Sequence, residues 1–382
     1  MHLILNTTQE LEEYLKTVNE SKIIFLDTEF KRRDTYFPIL SLLQLSINGK
    51  IAIVDPLSKF CKLDPLVKIL LDKSIIKVLH SARQDLEILY SYTQNKPIKP
   101  IFDTQIAAAF CGYGISVSYE FLVQDLLKVN LDKSQRVTDW AHRPLTKDQI
   151  QYALCDVLYL PAIYAKLLEL TESNKTFQYC LEECTVLESS NFLKTTTRKL
   201  ISKLRFESKD ASQVAKLIRL VNWRETLAQK LNINRGQILQ DSEIHLLTSK
   251  ISNTSIFDKY DNIMANEIQN ILKTKLSENE LMVAQGIIKD KFMRSFKLNR
   301  NLCRIVIQII ADHLSIASEL IANAQDIDIF AISNKASGEN CQSKLFTGWR
   351  YEIAGRCLED FFAGKIFIRI DDSKSYLVEK PS

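Results

Sequence analysis

Hydrophobic positions in the first 170 residues alternate between two periods. Lys22 to Leu26 (KIIFL) is a short β-rich run with the length of a buried strand. LSLLQLSI (40–47) and IAIV (51–54) flank Asn48-Gly49, a dipeptide that suits a two-residue hairpin turn. DPLVKILLD then shows helical spacing, and IIKVL (75–79) reads as a further strand leading into a helix from Ser81. FDTQIAAAF, EFLVQDLL and the run from Thr146 to Leu170 read as helices. A strand meander followed by strand–helix alternation predicts an α/β domain, a mixed sheet flanked by helices.

Beyond about Asn191 the pattern changes. Strand-like runs nearly vanish and amphipathic helices take over. ASQVAKLIRLVNWRETLAQKL places Val214, Leu217, Ile218, Val221 and Leu227 on one stripe. LCRIVIQIIADHL (302–314) and YEIAGRCLEDFFAG (351–364) carry similar spacing. The polar, Thr-rich stretch after Leu170 has the look of a connector. The expected division is therefore an α/β domain over 1–170, a connector over 171–207, helical modules over 208–288 and 289–370, and a tail over 371–382.

Charge sharpens this picture. The net charge is only +4, but residues 191–240 hold eleven Lys and Arg against three Asp and Glu. The rest of the chain must then carry about minus four by subtraction. Eight scattered cysteines, with no histidine close enough for a zinc pattern, fit a reducing cytoplasm rather than a disulfide scaffold. No apolar stretch approaches membrane-spanning length, and Met1 to Asn6 is too short for a secretory signal, so no membrane partner is expected.

The chemistry lies in three segments: Asp27 and Glu29 in FLDTEF, Asp85 in LHSARQDLEIL, and Tyr152 with Asp156 in QYALCDV. Four of these five are carboxylates beside apolar runs. Acids gathered at low dielectric repel and lose solvation unless a cation compensates. Asp27 and Glu29, two apart in a strand, share a face; Tyr152 and Asp156, four apart in a helix, share another. Hard divalent ions such as Mg²⁺ and Mn²⁺ prefer such oxygen ligands, and two of them can promote in-line displacement at phosphorus. A tyrosine is a poor base at neutral pH but can orient an attacking water. Any one segment alone is weak: strand-end acids are usually solvated, and an isolated YxxxD is usually a buried Tyr with a capping or surface Asp. Asp103 is expected to cap a helix.

Taken together, the order, spacing and flanks of the segments resemble the DEDD superfamily of 3′→5′ exonucleases in its tyrosine-containing branch, with ribonuclease D the closer match. DTEFKRRDTYFPILSLLQLS is similar to its first motif region, HSARQDLEIL to its second, and DWAHRPLTKDQIQYALCDVLYLPAIY to its third. WRETLA with RGQILQD is similar to the helicase-and-RNase-D C-terminal (HRDC) domain, and GWRYEIAGRCLEDFFAG ends a weaker copy. The resemblance implies an RNase H-like exonuclease domain followed by two HRDC-type helical domains. It implies two divalent ions (Mg²⁺ or Mn²⁺) held by Asp27, Glu29, Asp85 and Asp156, with Tyr152 orienting the attacking water. His80 and Arg143, beside the second and third motifs, are carried as substrate-contact candidates; His142 receives no role. The implied substrate is RNA with a free 3′ end, such as a tRNA precursor, cut to nucleoside 5′-monophosphates.

Two rivals remain at this level: a 3′→5′ DNA exonuclease of proofreading or repair type, and a non-catalytic RNA-binding protein on a nuclease fold. Basic helical modules favour RNA over DNA, and no metal carboxylate is lost. No phosphate-binding G-x-x-x-x-G-K-[ST] occurs, so ATP is not an expected partner.

Overall fold

A six-stranded sheet organises the N-terminal part of the chain. In the computed structural model β1 (His2–Leu5), β2 (Ile23–Lys31), β3 (Ile39–Ile47), β4 (Lys50–Val54), β5 (Ile76–Leu79) and β6 (Ile101–Asp103) stand in the order β1-β4-β3-β2-β5-β6. The structure describes residues 2–32, 34–131, 138–204, 206–249, 257, 259–292, 297–332, 343–370 and 375–379. β3 and β4 are antiparallel, while β5 runs parallel to both β2 and β6. Setting aside the edge strand β1, which lies parallel to β4, the order is third-second-first-fourth-fifth, the RNase H-like arrangement. β3 is buried at every position after the first, which is why its sequence is a continuous apolar run rather than an alternation. At the hairpin tip Asn48 and Gly49 both take positive φ (50° and 74°), as the turn requires.

Helices α1 (Thr8–Leu15), α2 (Val18–Ser21), α3 (Asp64–Leu71), α4 (Arg83–Tyr92), α5 (Thr104–Ala109), α6 (Tyr119–Leu127), α7 (Lys147–Leu158), α8 (Leu160–Ser173) and α9 (Phe177–Thr185) accompany the sheet. Three local features differ from the expected pattern. Four residues are too few to show a period, so β1 is not legible. The start of FDTQIAAAF is a fully buried three-residue strand, again without alternation to read. The run from Thr146 to Leu170 is two helices, broken at Tyr159, with Pro161 in the first turn of the second.

Residues 171–207, expected as a connector, are largely helical: α9 buries Cys180 and Cys184, and α10 (Thr197–Lys203) buries Leu200 and Ile201. Polar residues dominate this stretch because each short helix buries a single narrow stripe. α11 (Ala211–Leu231), α12 (Arg235–Ile238), α13 (Asp241–Thr248), α14 (Asn262–Lys273) and α15 (Glu278–Phe292) follow. Val214, Leu217 and Val221 of the expected stripe are buried, with Ile218 and Leu227 partly so.

The C-terminal segment contains α16 (Lys297–Leu314), α17 (Ser318–Ile321), α18 (Ala324–Ile332), α19 (Gly348–Arg350), a π-helical turn over Tyr351–Gly355 and α20 (Arg356–Phe362). The expected tail instead continues a hairpin, β7 (Ile366–Ile370) paired antiparallel with β8 (Ser375–Glu379). IFIRI is too short a departure from the helical pattern to stand out in sequence.

By compactness the chain divides into two units. One joins Met1–Phe30 and Leu40–Ser190 to Phe296–Ser382; the other joins Asn191–Ser295 to Lys31–Ile39. In the second, Tyr36 donates to Glu225 at 2.5 Å, and the Arg235 guanidinium, ion-paired with the same carboxylate, lies 4.9 Å from the Tyr36 ring centre. In the first, the C-terminal helices share one core with the sheet domain. Cys303, Val306, Ile307 and Trp349 pack in the cluster that holds Phe25, Val78 and Phe110. Arg350 pairs with Glu183 at 2.6 Å, and the Ala317 amide donates to the Ala109 carbonyl at 3.2 Å. The last helical module is therefore not set apart from the sheet domain as its sequence pattern suggests, because its apolar stripe and that of α5 and α9 bury each other. Among the described residues no helix is long and apolar enough to cross a membrane.

Candidate active site

Asp27 and Glu29 lie within β2, which runs two residues past Glu29. Alternation turns both side chains to one face, while Thr28 between them is buried. α7 brings Asp156 to the same place: carboxylate oxygens of Asp27, Glu29 and Asp156 all lie within 4.8 Å of one another. A capping box fixes where α7 starts. Thr146 accepts from the Gln149 amide at 3.1 Å, and the Gln149 side chain accepts from the Thr146 amide at 2.9 Å.

Asp85 stands outside that close triad but within its electrostatic reach. It is buried in the first turn of α4 and accepts a short hydrogen bond from the Thr28 hydroxyl. The turn before α4 is set by Asp103. Its carboxylate accepts from the Ser81 and Ala82 amides at 3.0 and 2.9 Å and from the Gln105 amide at 2.8 Å. Ser81 takes φ 57°, a left-handed conformation that these bonds hold in place. Asp103 thus caps α5, as its position in sequence indicates, and also orients the turn that presents Asp85.

Burial raises the proton affinity of all four acids, and neighbouring carboxylate charges add to it. Burial, then the charges of Asp85, Asp156 and Glu29, push Asp27 well above the carboxylate range. Burial and the Asp156 and Asp85 charges push Glu29 up to about 9. Asp156 is pushed to about 8 by burial, Glu120 and Asp85. Asp85 is pushed to about 7 by burial, against the lowering bond from Thr28. An oxygen-only set of crowded carboxylates whose charges lack compensation fits a hard divalent cation.

Tyr152, one turn before Asp156, is half-buried. Its phenol is pushed further up by burial and by the Asp156, Glu29 and Asp27 charges, so it stays protonated. Its ring leans on Trp140 with centroids 5.9 Å apart, over a small core of Leu42, Ile53, Ala153 and Leu154.

The two substrate-contact candidates have other partners. His80 holds Thr104 through Nδ1 at 3.0 Å and the Val117 carbonyl through Nε2 at 3.1 Å. Burial lowers its proton affinity, and both ring nitrogens are engaged. Arg143 uses all five N–H groups within the protein. It donates to Asp55 at 2.6 and 2.8 Å and to the carbonyls of Ser41, Trp140 and His142 at 2.7–2.9 Å. Both residues act as supports within the fold, one under the α5–α6 loop, the other locking the entry of α7 onto β3 and the residue after β4.

Two functional neighbours were missed by sequence reading. Thr28 could have been suspected as the residue between two acids; Glu120, on a different helix, carries no local signal.

Residues 3–172 match the sequence profile of a 3′-5′ exonuclease family. The chain is 32% identical to ribonuclease D of Bartonella henselae over 98% of its length and 93% of that protein's. It is 31% identical to ribonuclease D of Sphingobium indicum, with 98% of each covered. It is also similar to the crystal structure of Escherichia coli RNase D, an exoribonuclease involved in structured RNA processing. That match has TM-score 0.76 and 26% identity, and covers 95% of this chain and 99% of that one.

Proposed function

The chain belongs to the ribonuclease D family and is a 3′→5′ exoribonuclease dependent on divalent metal; we propose that it trims single-stranded 3′ tails of structured RNA such as tRNA precursors. The observation that carries the site is the convergence of Asp27, Glu29 and Asp156 within 4.8 Å, with Asp85 adjoining. In this reading the four carboxylates hold two divalent ions, Mg²⁺ or Mn²⁺, and release nucleoside 5′-monophosphates. When bound, such ions supply charge neutralisation at the scissile phosphate and acidify water.

The remaining roles fall to the protein. Asp27 and Glu29 anchor the site on a rigid strand, and Asp156 closes it from the opposite helix. Tyr152, protonated throughout the working pH range, orients the attacking water by hydrogen bonding rather than by taking its proton. The basic residues of 191–240 hold the phosphate backbone without reading bases. ATP has no role in this reading. The seven described cysteines are all free, which supports a reducing, cytoplasmic setting.

The test uses RNA and DNA labelled at either end, with Mg²⁺, Mn²⁺ or chelator. Mononucleotides released from the 3′ end of RNA, only with metal, are expected. Asp27→Ala should abolish release while RNA binding persists. Metal-dependent turnover retained in that variant sinks the site assignment, and preference for DNA sinks the substrate assignment.

A further inference from the structure

In an unbroken helix the Tyr159 amide would donate to the carbonyl of Cys155, four residues earlier. Here the two are separated by a side chain from another helix. The Tyr119 hydroxyl, from the first residue of α6, donates to the Cys155 carbonyl at 3.1 Å and accepts from the Tyr159 amide at 3.2 Å. A hydroxyl inserted into the i→i−4 ladder is one of the few physical causes of a sharp helix break. Pro161 removes the next amide but one from the same ladder.

The break lies at the site. Asp156 directly follows Cys155, whose carbonyl is held, and Tyr152 is one turn earlier. The inserted side chain is itself well fixed: Tyr119 is 8% exposed. Its ring centre lies 5.7 Å from that of His80, which is tied at both nitrogens. This gives a buried column from the α5–α6 loop through His80 and Tyr119 to the backbone beneath Asp156.

We infer that Tyr119 is a positioning residue for the metal site, its hydroxyl setting the bend that aims Asp156 at Asp27 and Glu29. The inference rests on the reading of Asp156 as a metal ligand. Tyr119→Phe keeps the ring against His80 and frees the Tyr159 amide to bond the Cys155 carbonyl directly. Closing of the helix across the gap changes the bend, so Asp156 is expected to be re-aimed while the rest of the fold is retained.

The test is Mn²⁺ binding to the full chain by titration calorimetry, alongside RNA affinity in chelator. Tyr119→Phe should weaken Mn²⁺ binding roughly tenfold, in the range for supports of metal ligands, with unchanged stoichiometry and RNA affinity. Tyr113→Phe, which loses a hydroxyl bond to Asp125 at 2.7 Å elsewhere on α6, should bind Mn²⁺ as wild type does. Pro161→Ala should also keep wild-type affinity, because the hydroxyl still occupies the ladder. Wild-type affinity in Tyr119→Phe overturns the inference, as does a loss in Pro161→Ala. Asp156→Asn separates the two levels. If it loses Mn²⁺ while Tyr119→Phe does not, only the positioning role falls; if it binds normally, the ligand reading falls with it.

Discussion

Each acid at the site is disfavoured as a charge by its own surroundings, and this has a sign that can be measured. Without metal, the folded protein binds protons on Glu29 and Asp156 up to about pH 9 and 8, whereas the unfolded chain releases them near pH 4. Folding therefore takes up protons between those limits. The contribution of these groups is fully present below about pH 4 and is lost as pH rises toward 9. In chelator the melting temperature should fall from pH 6 to pH 9, and Mg²⁺ should raise it more at pH 9 than at pH 6. An equal Mg²⁺ effect at both values would contradict uncompensated carboxylates. Tyr152 makes a second residue-scale case. Tyr152→Phe should lower kcat by roughly 10²-fold, the cost of a misplaced reactant, with KM for RNA unchanged. A shift in KM alone would mean the phenol touches the substrate instead.

Elements decide which of these residues meet, and here the sequence was legible unevenly. β2, β3, β4, α6 and the start of α7 could be read, because each buries one clear face or carries turn and cap residues such as Asn48-Gly49 and Thr146. β1 and β6 could not: they are too short to show a period and are defined by the strands they pair with. The break between α7 and α8 was only half legible: Pro161 marks it within the run, but the hydroxyl from α6 that occupies the ladder leaves no local signal. Arg143 shows the same limit. Its motif is visible, but only the fold reveals that Asp55 and three carbonyls take all its donors. Arg143→Ala should therefore destabilise the protein by about 2 kcal/mol, a value typical of lost hydrogen bonds to charged groups. It should lower kcat while leaving RNA affinity in chelator unchanged. Lost RNA affinity at unchanged thermal stability would show that it is a substrate contact.

On the scale of the whole molecule, two kinds of helix follow the sheet domain. Those of 191–295 form a unit with their own core, rich in Lys and Arg. Replacing Lys194, Lys203 and Lys230 with Glu should raise KM for structured RNA roughly tenfold and leave turnover of a short oligonucleotide unchanged. Equal losses on both substrates would count against a tethering role. Those after 296 complete the core of the sheet domain itself, with Trp349 against Phe110 at 5.0 Å between ring centres. A chain ended at residue 295 should expose that apolar surface, melt well below the full chain and aggregate on warming. A wild-type melting temperature would refute the shared core.

That shared core also has a temporal meaning. At about 5–20 residues per second, ribosomes need roughly 10–40 s to pass from the end of the sheet domain to Leu358. Throughout that interval the nascent nuclease carries all its acids but lacks the side chains that finish its interior. Synthesis itself is thus expected to act as a delay, with a stable cutting site formed only once the helices through Leu358 have been made.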